Sequence, residues 1–91
     1  MAARKEPKNI RPSSELYVRQ LPVDEALYRL DSYLSQAVTA GLNQFTIVHG
    51  KGQGILRRAI QAELARSPLV KSYRDGLYGE GESGVTIVYL V

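Results

Sequence analysis

The sequence contains no cysteine and no tryptophan, only one histidine, and no long apolar run. Without cysteine there is no disulfide framework and no thiolate nucleophile, which is compatible with a reducing cytoplasm. A single histidine without cysteine also argues against a transition-metal site. The opening residues, MAARKEPKNIRPSSE, lack the apolar segment of a secretory signal, and no stretch is long enough to cross a membrane. These absences favour a cytoplasmic protein.

The net charge of +3 is concentrated at one end of the 91-residue chain. Arg4, Lys5, Lys8 and Arg11 stand against a single acid in the first fourteen residues, and the remainder is neutral overall. This segment also contains two prolines, paired serines and little to bury. We therefore predict a basic flexible linker or tail at residues 1–14 and one domain at residues 15–91. The tail either joins the domain to another segment or contacts phosphates as a basic arm.

The apolar pattern predicts alternating strands and helices. In the longest element, apolar residues recur at a spacing of three and four from Val23 onward, as on one face of a helix. The predicted strands span residues 15–19, 44–48, 70–74 and 85–90, and the predicted helices span residues 23–40 and 55–66. Repeated strand–helix–strand order favours parallel pairing through right-handed crossovers, and the last two strands can form a hairpin. The predicted fold is an α/β two-layer sandwich, βαβαββ, with two helices covering a mixed four-stranded sheet.

A glycine loop, residues 49–54 with the sequence HGKGQG, joins the second predicted strand to the second helix. Glycine at every second position permits positive φ and lets an anion approach the backbone. No Ser, Thr, Asp or Asn is available to cap the helix, and its first turn carries two arginines against the helix dipole. A bound phosphate would resolve both features, although a purely structural turn remains the alternative. The residues predicted to bind nucleic acid are Gly50, Lys51, Gly52, Gln53, Gly54, Arg57 and Arg58.

The chain's one histidine, His49, begins this loop. Beside a phosphate, an imidazole can position the scissile group or shuttle a proton during hydrolysis. The alternative is a hydrogen-bonded structural residue. The glycine spacing matches neither the dinucleotide-binding fingerprint nor the P-loop of nucleotide triphosphatases, so those functions are not indicated.

The segment VHGKGQGILRRAI resembles the H-G-x-G motif and following helix of Smr (small MutS-related) domains. The similarity extends to EALYRLDSYLSQAVTAGL upstream and to PLVKSYRDG and GEGESGVTIVYL downstream. It covers residues 15–90 and is closest to the version at the C-terminus of MutS-like ATPases that lack mismatch repair activity. The resemblance implies a fold like the C-terminal domain of a bacterial initiation factor. It also implies nucleic-acid binding and, in many members, nicking of DNA or RNA.

The family's first-strand motif, L-D-L-R-G, falls on the sequence LYVRQ at residues 16–20. Leu16 and Arg19 match, whereas Tyr17 replaces the aspartate and Gln20 replaces the glycine. The acid that would help to hold a metal or activate water is therefore missing. The resemblance leaves three catalytic candidates: His49, Lys51 and Arg19.

Other side chains offer partial substitutes. Glu15, Glu80 and Glu82 are acids that can approach the loop, although solvated surface charge is the simpler interpretation of all three. Exposed tyrosines near the basic residues can stack on unpaired bases. The candidates for stacking are Tyr17, Tyr73 and Tyr78, whereas Tyr28 and Tyr33 lie on or beside the helix stripe expected in the core.

Three functional classes remain open from sequence: a nicking endonuclease, a nucleic-acid-binding module that has lost its chemistry, and a protein-interaction domain. The implied partners are DNA or RNA, with the ribosome and a larger MutS-like ATPase left open. No cofactor is certain, and a divalent metal such as magnesium is left open for the nuclease. No metal ligand is assigned.

Overall fold

The computed structural model describes residues 14–91. Its elements are β1 (Glu15–Tyr17), α1 (Val23–Thr39), β2 (Gln44–Val48), α2 (Ile55–Arg66), β3 (Val70–Asp75) and β4 (Val85–Leu90), with a short 3-10 turn (Glu82–Gly84) before β4. The predicted βαβαββ order is confirmed. The predicted tail lies outside the described residues apart from Ser14, whose carbonyl accepts the Thr46 N–H. The boundary of the tail therefore stays a prediction.

The sheet has the strand order β1-β2-β4-β3. β1 is parallel to β2, whereas β4 is antiparallel to both of its neighbours. The predicted hairpin of the last two strands is confirmed, but the expectation of two parallel pairings holds only for the first. β4 separates β2 from β3 because VTIVYL is apolar on both faces and is best buried in the centre. The more polar VKSYRD of β3 occupies an edge.

The core lies between the two helices and one face of the sheet. The side chains buried from α1 are Ala26, Leu30, Tyr33, Leu34 and Ala37, and those from α2 are Ile60 and Leu64. They pack with Phe45, Ile47, Val88 and Leu90 of the sheet. The helical stripes predicted from spacing are thus confirmed, except that Val23 at the start of α1 is exposed. No helix among residues 14–91 is long and apolar enough to cross a bilayer.

The predicted first strand is two residues too long at its C-terminal end. Val18 still donates to the carbonyl of Val48, but its own carbonyl then accepts the Leu21 N–H and closes a turn. Within that turn Gln20 has φ of 69°. A non-glycine residue in this left-handed region costs roughly 1–2 kcal/mol. Gln20 therefore carries strain at the position where the family motif has glycine.

We expect the substitution Gln20→Gly to raise the free energy of unfolding by up to about 1 kcal/mol. Relief of the left-handed strain is partly offset by the greater freedom of glycine in the unfolded chain, about 0.4–1 kcal/mol. Urea unfolding measures the change. Gln20→Ala is the matched control because it keeps the strain, and it should be no more stable than the natural sequence. A Gln20→Gly protein less stable than Gln20→Ala would contradict this account.

Candidate functional site

The glycine loop lies at one end of the sheet, where β2 ends and α2 begins, and we call this end the loop edge. Gly50, Gly52 and Gly54 have φ of 84°, 35° and 80°. A Cβ atom on Gly50 would lie 3.2 Å from Cγ of Arg19, whereas one on Gly52 would meet nothing within 4 Å. Glycine at position 50 therefore allows close packing against Arg19. Glycine at position 52 leaves open space beside the loop.

The backbone of this loop presents a run of N–H groups without acceptors. From Lys51 to Arg57, none donates to a backbone acceptor among residues 14–91. The first helical bond of α2 runs from the N–H of Arg58 to the carbonyl of Gly54 at 3.0 Å. Gly54 provides no side-chain cap, and the first turn contains no acid. The predicted uncapped helix start is thus confirmed, and its partial positive charge faces outward.

Two open cavities, of about 460 and 430 Å³, lie along this loop. The first reaches the amino ends of both helices, and the second reaches Gly84 and Val85. Both are lined by Arg19, Gly50, Lys51 and Gly52, and the first also by His49, Gln53, Gly54 and Arg57. The fold therefore brings these predicted residues together. Arg58 lines neither cavity, but its Nη1 atom would lie 3.1 Å from a Cβ on Gly54.

The four cations at this edge differ in their partners. Arg57 forms two hydrogen bonds with the carboxylate of Asp75, at 3.0 and 2.8 Å. The Nζ atom of Lys51 lies 3.1 Å from Glu82, in an exposed ion pair. Among residues 14–91, Arg19 and Arg58 form no ion pair. Since exposed ion pairs contribute only about 0–1 kcal/mol, Lys51 is also readily available to an anion.

His49 is buried, and both of its ring nitrogens have partners within the protein. Nδ1 lies 3.0 Å from the carbonyl oxygen of Gly50, and Nε2 lies 2.9 Å from Oγ1 of Thr86. A carbonyl can only accept, so this contact favours a proton on Nδ1, and Nε2 can then accept from the Thr86 hydroxyl. Burial lowers the pKa of His49, and the Arg57 charge acts in the same direction. The ring is therefore neutral near pH 7, and Nε2 reaches a substrate only by leaving Thr86.

Three polar residues that the sequence interpretation did not single out complete this arrangement. The amide nitrogen of Gln61 lies 3.0 Å from Oγ1 of Thr86 and 2.9 Å from Oδ1 of Asp75. Thr86 was detectable as the one aliphatic hydroxyl within the apolar sequence VTIVYL. Gln61 lies one helical turn after Arg57, but nothing local to either residue indicates that they share Asp75 of β3.

The position of the missing acid is occupied by an aromatic hydroxyl. Tyr17 is 62% exposed, and its hydroxyl donates to a carboxylate oxygen of Glu15 at 3.1 Å. This hydrogen bond and the charge of Glu15 raise the pKa of Tyr17. A phenol whose pKa is raised further above its ordinary value near 10 is a poor replacement for a carboxylate base.

The acids considered as substitutes are also engaged. Glu82 pairs with Lys51, and Glu80 pairs with Arg74, which together with the Leu77 N–H lowers the pKa of Glu80 to about 2. Residues 14–91 contain no group of three or more His, Asp or Glu side chains that could hold a metal ion.

The tyrosines proposed for stacking occupy different environments. Tyr78 is 93% exposed and Tyr17 is also largely exposed, whereas Tyr73 packs against the core. Tyr33 is buried with its ring centroid 4.5 Å from that of Phe45, and Tyr28 is exposed on α1. Tyr17 and Tyr78 are thus the accessible members of the set.

The neutral state of His49 predicts that stability falls in mild acid. Unfolded His49 takes up a proton near its ordinary pKa of about 6.5, whereas the folded ring resists protonation until lower pH. Its contribution is therefore complete above about pH 6.5 and is lost as the pH falls toward the lowered folded value. Urea unfolding between about pH 7.5 and pH 5 should show this loss.

His49→Gln is the matched control for this measurement, because its side chain can accept from Thr86 but does not titrate. The difference between the two proteins also removes the contribution of carboxylates such as Asp31, whose pKa is raised by burial and by Glu63. The variant should show the flatter profile. Parallel profiles for the two proteins would contradict a neutral buried His49.

Comparison with known proteins gives a consistent family match. The model of the Smr domain family matches residues 16–91. The endonuclease MutS2 of Caldicellulosiruptor saccharolyticus is 60% identical over 73 residues, which are 80% of this chain and 9% of that protein. The endonuclease MutS2 of Clostridium tetani is 52% identical over 77 residues, which are 85% of this chain and 10% of that protein. The chain thus spans about a tenth of the length of these relatives.

Two solved structures have the same fold. The Smr domain of Thermus thermophilus MutS2 superposes with a TM-score of 0.83 at 44% identity, covering 85% of this chain and 96% of that one. YdaL, a stand-alone small MutS-related protein from Escherichia coli, gives 0.80 at 30% identity, covering 87% and 66%. The predicted α/β sandwich and the resemblance stated from sequence are both confirmed.

Proposed function

The chain belongs to the Smr domain family, and from this premise we propose that it binds the phosphate backbone of nucleic acid through the glycine loop and the first turn of α2. The observation that carries the proposal is the run of N–H groups from Lys51 to Arg57 that lack backbone acceptors among the described residues. Arg19 and Arg58, without ion-pair partners there, flank this run. Backbone N–H groups and a helix dipole pointing at one opening form a ready site for a phosphate.

Binding at this edge is expected to be electrostatic and largely independent of sequence. A phosphate entering the loop accepts hydrogen bonds from its N–H groups and replaces the carboxylate of Glu82 as the partner of Lys51. Contacts of this kind orient a nucleic acid without reading its bases, so both DNA and RNA fit the proposal. Because phosphate contacts release counterions, the affinity should fall with salt. The ribosome as partner stays a prediction.

Phosphodiester hydrolysis is the second candidate function, since MutS2 relatives are named endonucleases. In this proposal Arg19 and Lys51 stabilise the charge that develops on the phosphate, and His49 supports the loop. The step lacks the first-strand carboxylate, because Tyr17 occupies its position and is bonded to Glu15. We therefore propose that the chain binds nucleic acid firmly and cuts it slowly. We also propose that it works within a longer MutS-like protein, because the segments that it matches are about a tenth of the MutS2 relatives.

Lys51→Ala and Arg58→Ala should each weaken nucleic-acid binding and reduce the slope of log affinity against log salt by about one phosphate contact. Fluorescence anisotropy with labelled DNA and RNA at several salt concentrations measures both quantities. Lys71→Ala is the matched control, because Lys71 is an exposed cation near the start of β3. Asp75, which pairs with Arg57, lies at the other end of that strand. If both loop-side variants bind like the natural sequence, this edge is not the binding site.

Tyr17→Asp should increase nicking by about tenfold or more, approaching the roughly 10²–10⁴-fold contributed by a well-placed general base. Plasmid nicking and cleavage of single-stranded RNA, with and without divalent metal, measure the rate. The rates are compared at saturation, because a new negative charge can weaken binding by itself. Tyr28→Asp makes the same change at an exposed position on α1 and should have no effect. Brisk cutting by the natural sequence, slowed by Tyr17→Asp, would refute the assignment.

A further inference from the structure

His49, Thr86 and Gln61 form a chain of hydrogen bonds. Each end of this chain contacts a group that can only accept. At one end is the carbonyl oxygen of Gly50, 3.0 Å from Nδ1 of His49. At the other end is the carboxylate of Asp75, whose pKa is lowered first by Arg57 and then by Gln61. An ionised carboxylate and a carbonyl have no proton to give, so the groups between them must supply every proton.

The acceptor at Asp75 determines how the Gln61 amide is oriented. Its nitrogen must face Oδ1 of Asp75, at 2.9 Å, because the amide oxygen would be repelled there. The same nitrogen lies 3.0 Å from Oγ1 of Thr86, and an NH₂ group has a second proton to donate. Gln61 therefore donates in both directions.

This double donation determines the direction of the remaining hydrogen bonds. Oγ1 of Thr86 accepts from Gln61, and the buried hydroxyl proton of Thr86 has Nε2 of His49, 2.9 Å away, as its one acceptor among residues 14–91. Nε2 is then an acceptor, and the ring proton resides on Nδ1, facing the Gly50 carbonyl. Thr86 alone would not impose this order, because a hydroxyl can equally accept from an Nε2–H group.

We propose that Gln61 is a positioning residue that keeps His49 in the Nδ1-protonated tautomer and thereby holds the Gly50 carbonyl, in the Gly50–Lys51 peptide group, at the base of the glycine loop. The preceding peptide group is already fixed, because the Gly50 N–H donates to the carbonyl of Gly84 at 2.9 Å. With both peptide groups held, the following N–H groups point into the opening. The tautomer assignment does not depend on the proposed function. Its effect on the affinity for nucleic acid rests on the proposed phosphate-binding function.

The charged groups around the ring are consistent with a neutral tautomer. Arg57 lowers the pKa of His49, Asp75 raises it, and burial is the largest influence and lowers it. Arg57 and Asp75 are hydrogen-bonded to each other and carry opposite charges, so their effects on the pKa of the ring oppose each other. The direction of the hydrogen bonds, rather than a nearby charge, therefore selects which nitrogen carries the proton.

Nitrogen-15 NMR of the imidazole tests the proposal directly, because the chain has one histidine and the signals need no assignment. At pH 7.5 the natural sequence should show a protonated Nδ1 and an unprotonated Nε2. Gln61→Met removes both amide donors at similar size. It should give a mixture of tautomers and move the pKa of His49 upward, toward its ordinary value near 6.5, because the Thr86 oxygen can then accept from a protonated ring.

Two further variants separate positioning from packing. Gln36→Met makes the same change on an exposed part of α1 and should leave the His49 spectrum unchanged. Thr86→Ser keeps the hydroxyl and should retain the tautomer of the natural sequence. An Nε2-protonated ring in the natural sequence overturns the proposal without any variant. An unchanged tautomer in folded Gln61→Met overturns the role of Gln61.

The affinity of Gln61→Met for a labelled oligonucleotide tests the link to the loop. Its Kd should rise about two- to tenfold, the range for one lost hydrogen bond, with no change in salt slope because no cation is removed. A shifted tautomer with unchanged affinity would refute the effect on the loop. Absence of binding by the natural sequence would refute the proposed function and leave the tautomer result standing.

Discussion

Gly50 is held through both of its flanking peptide groups, because its N–H donates to the Gly84 carbonyl and its C=O accepts from the His49 ring. These two contacts come from distant parts of the chain and meet where β2 ends. They fix the direction in which the backbone leaves the sheet, and hence the orientation of the N–H groups that follow. The openings beside the loop, the uncapped start of α2 and the approach of Arg19 all depend on this constraint.

The electrostatics of the same edge separate two kinds of cation. Arg57 is hydrogen-bonded to Asp75 and belongs to the hydrogen-bond network that reaches the buried imidazole of His49. Lys51 is held only by an exposed ion pair, which water and salt weaken. Arg19 and Arg58 have no ion-pair partner among residues 14–91. An incoming phosphate can therefore gain charge neutralisation without breaking the contacts that maintain the loop.

The two departures from the family motif have different physical consequences. Gln20 occupies a left-handed turn that glycine would occupy without strain, so its effect is on stability. Tyr17 introduces a hydroxyl that donates to Glu15 and resists ionisation, so the effect that we propose for it is on hydrolysis. Both departures lie outside the glycine loop. The proposed phosphate binding and the proposed slow hydrolysis are thus compatible within one domain.

Local patterns were sufficient for much of the fold and for part of the site. The three-four spacing after Val23 predicted α1, because an amphipathic helix is encoded by neighbours in sequence. The lack of capping residues before Ile55 predicted free N–H groups for the same reason. The motif residues of the loop also identified the family. Each of these inferences depends on residues within a few positions of one another.

The placement of β4 between β2 and β3, and the network around His49, required the tertiary structure. Strand order depends on which apolar faces can be buried together, and spacing within one strand contains no such information. Thr86 is 37 residues from His49, and Asp75 is 14 residues from Gln61. Sequence alone placed a histidine beside a glycine loop at the start of a helix. Only the tertiary structure determined that its ring is buried, neutral and hydrogen-bonded at both nitrogens. The hydrogen-bond network around the ring is completed by residues of other elements, which only folding brings together.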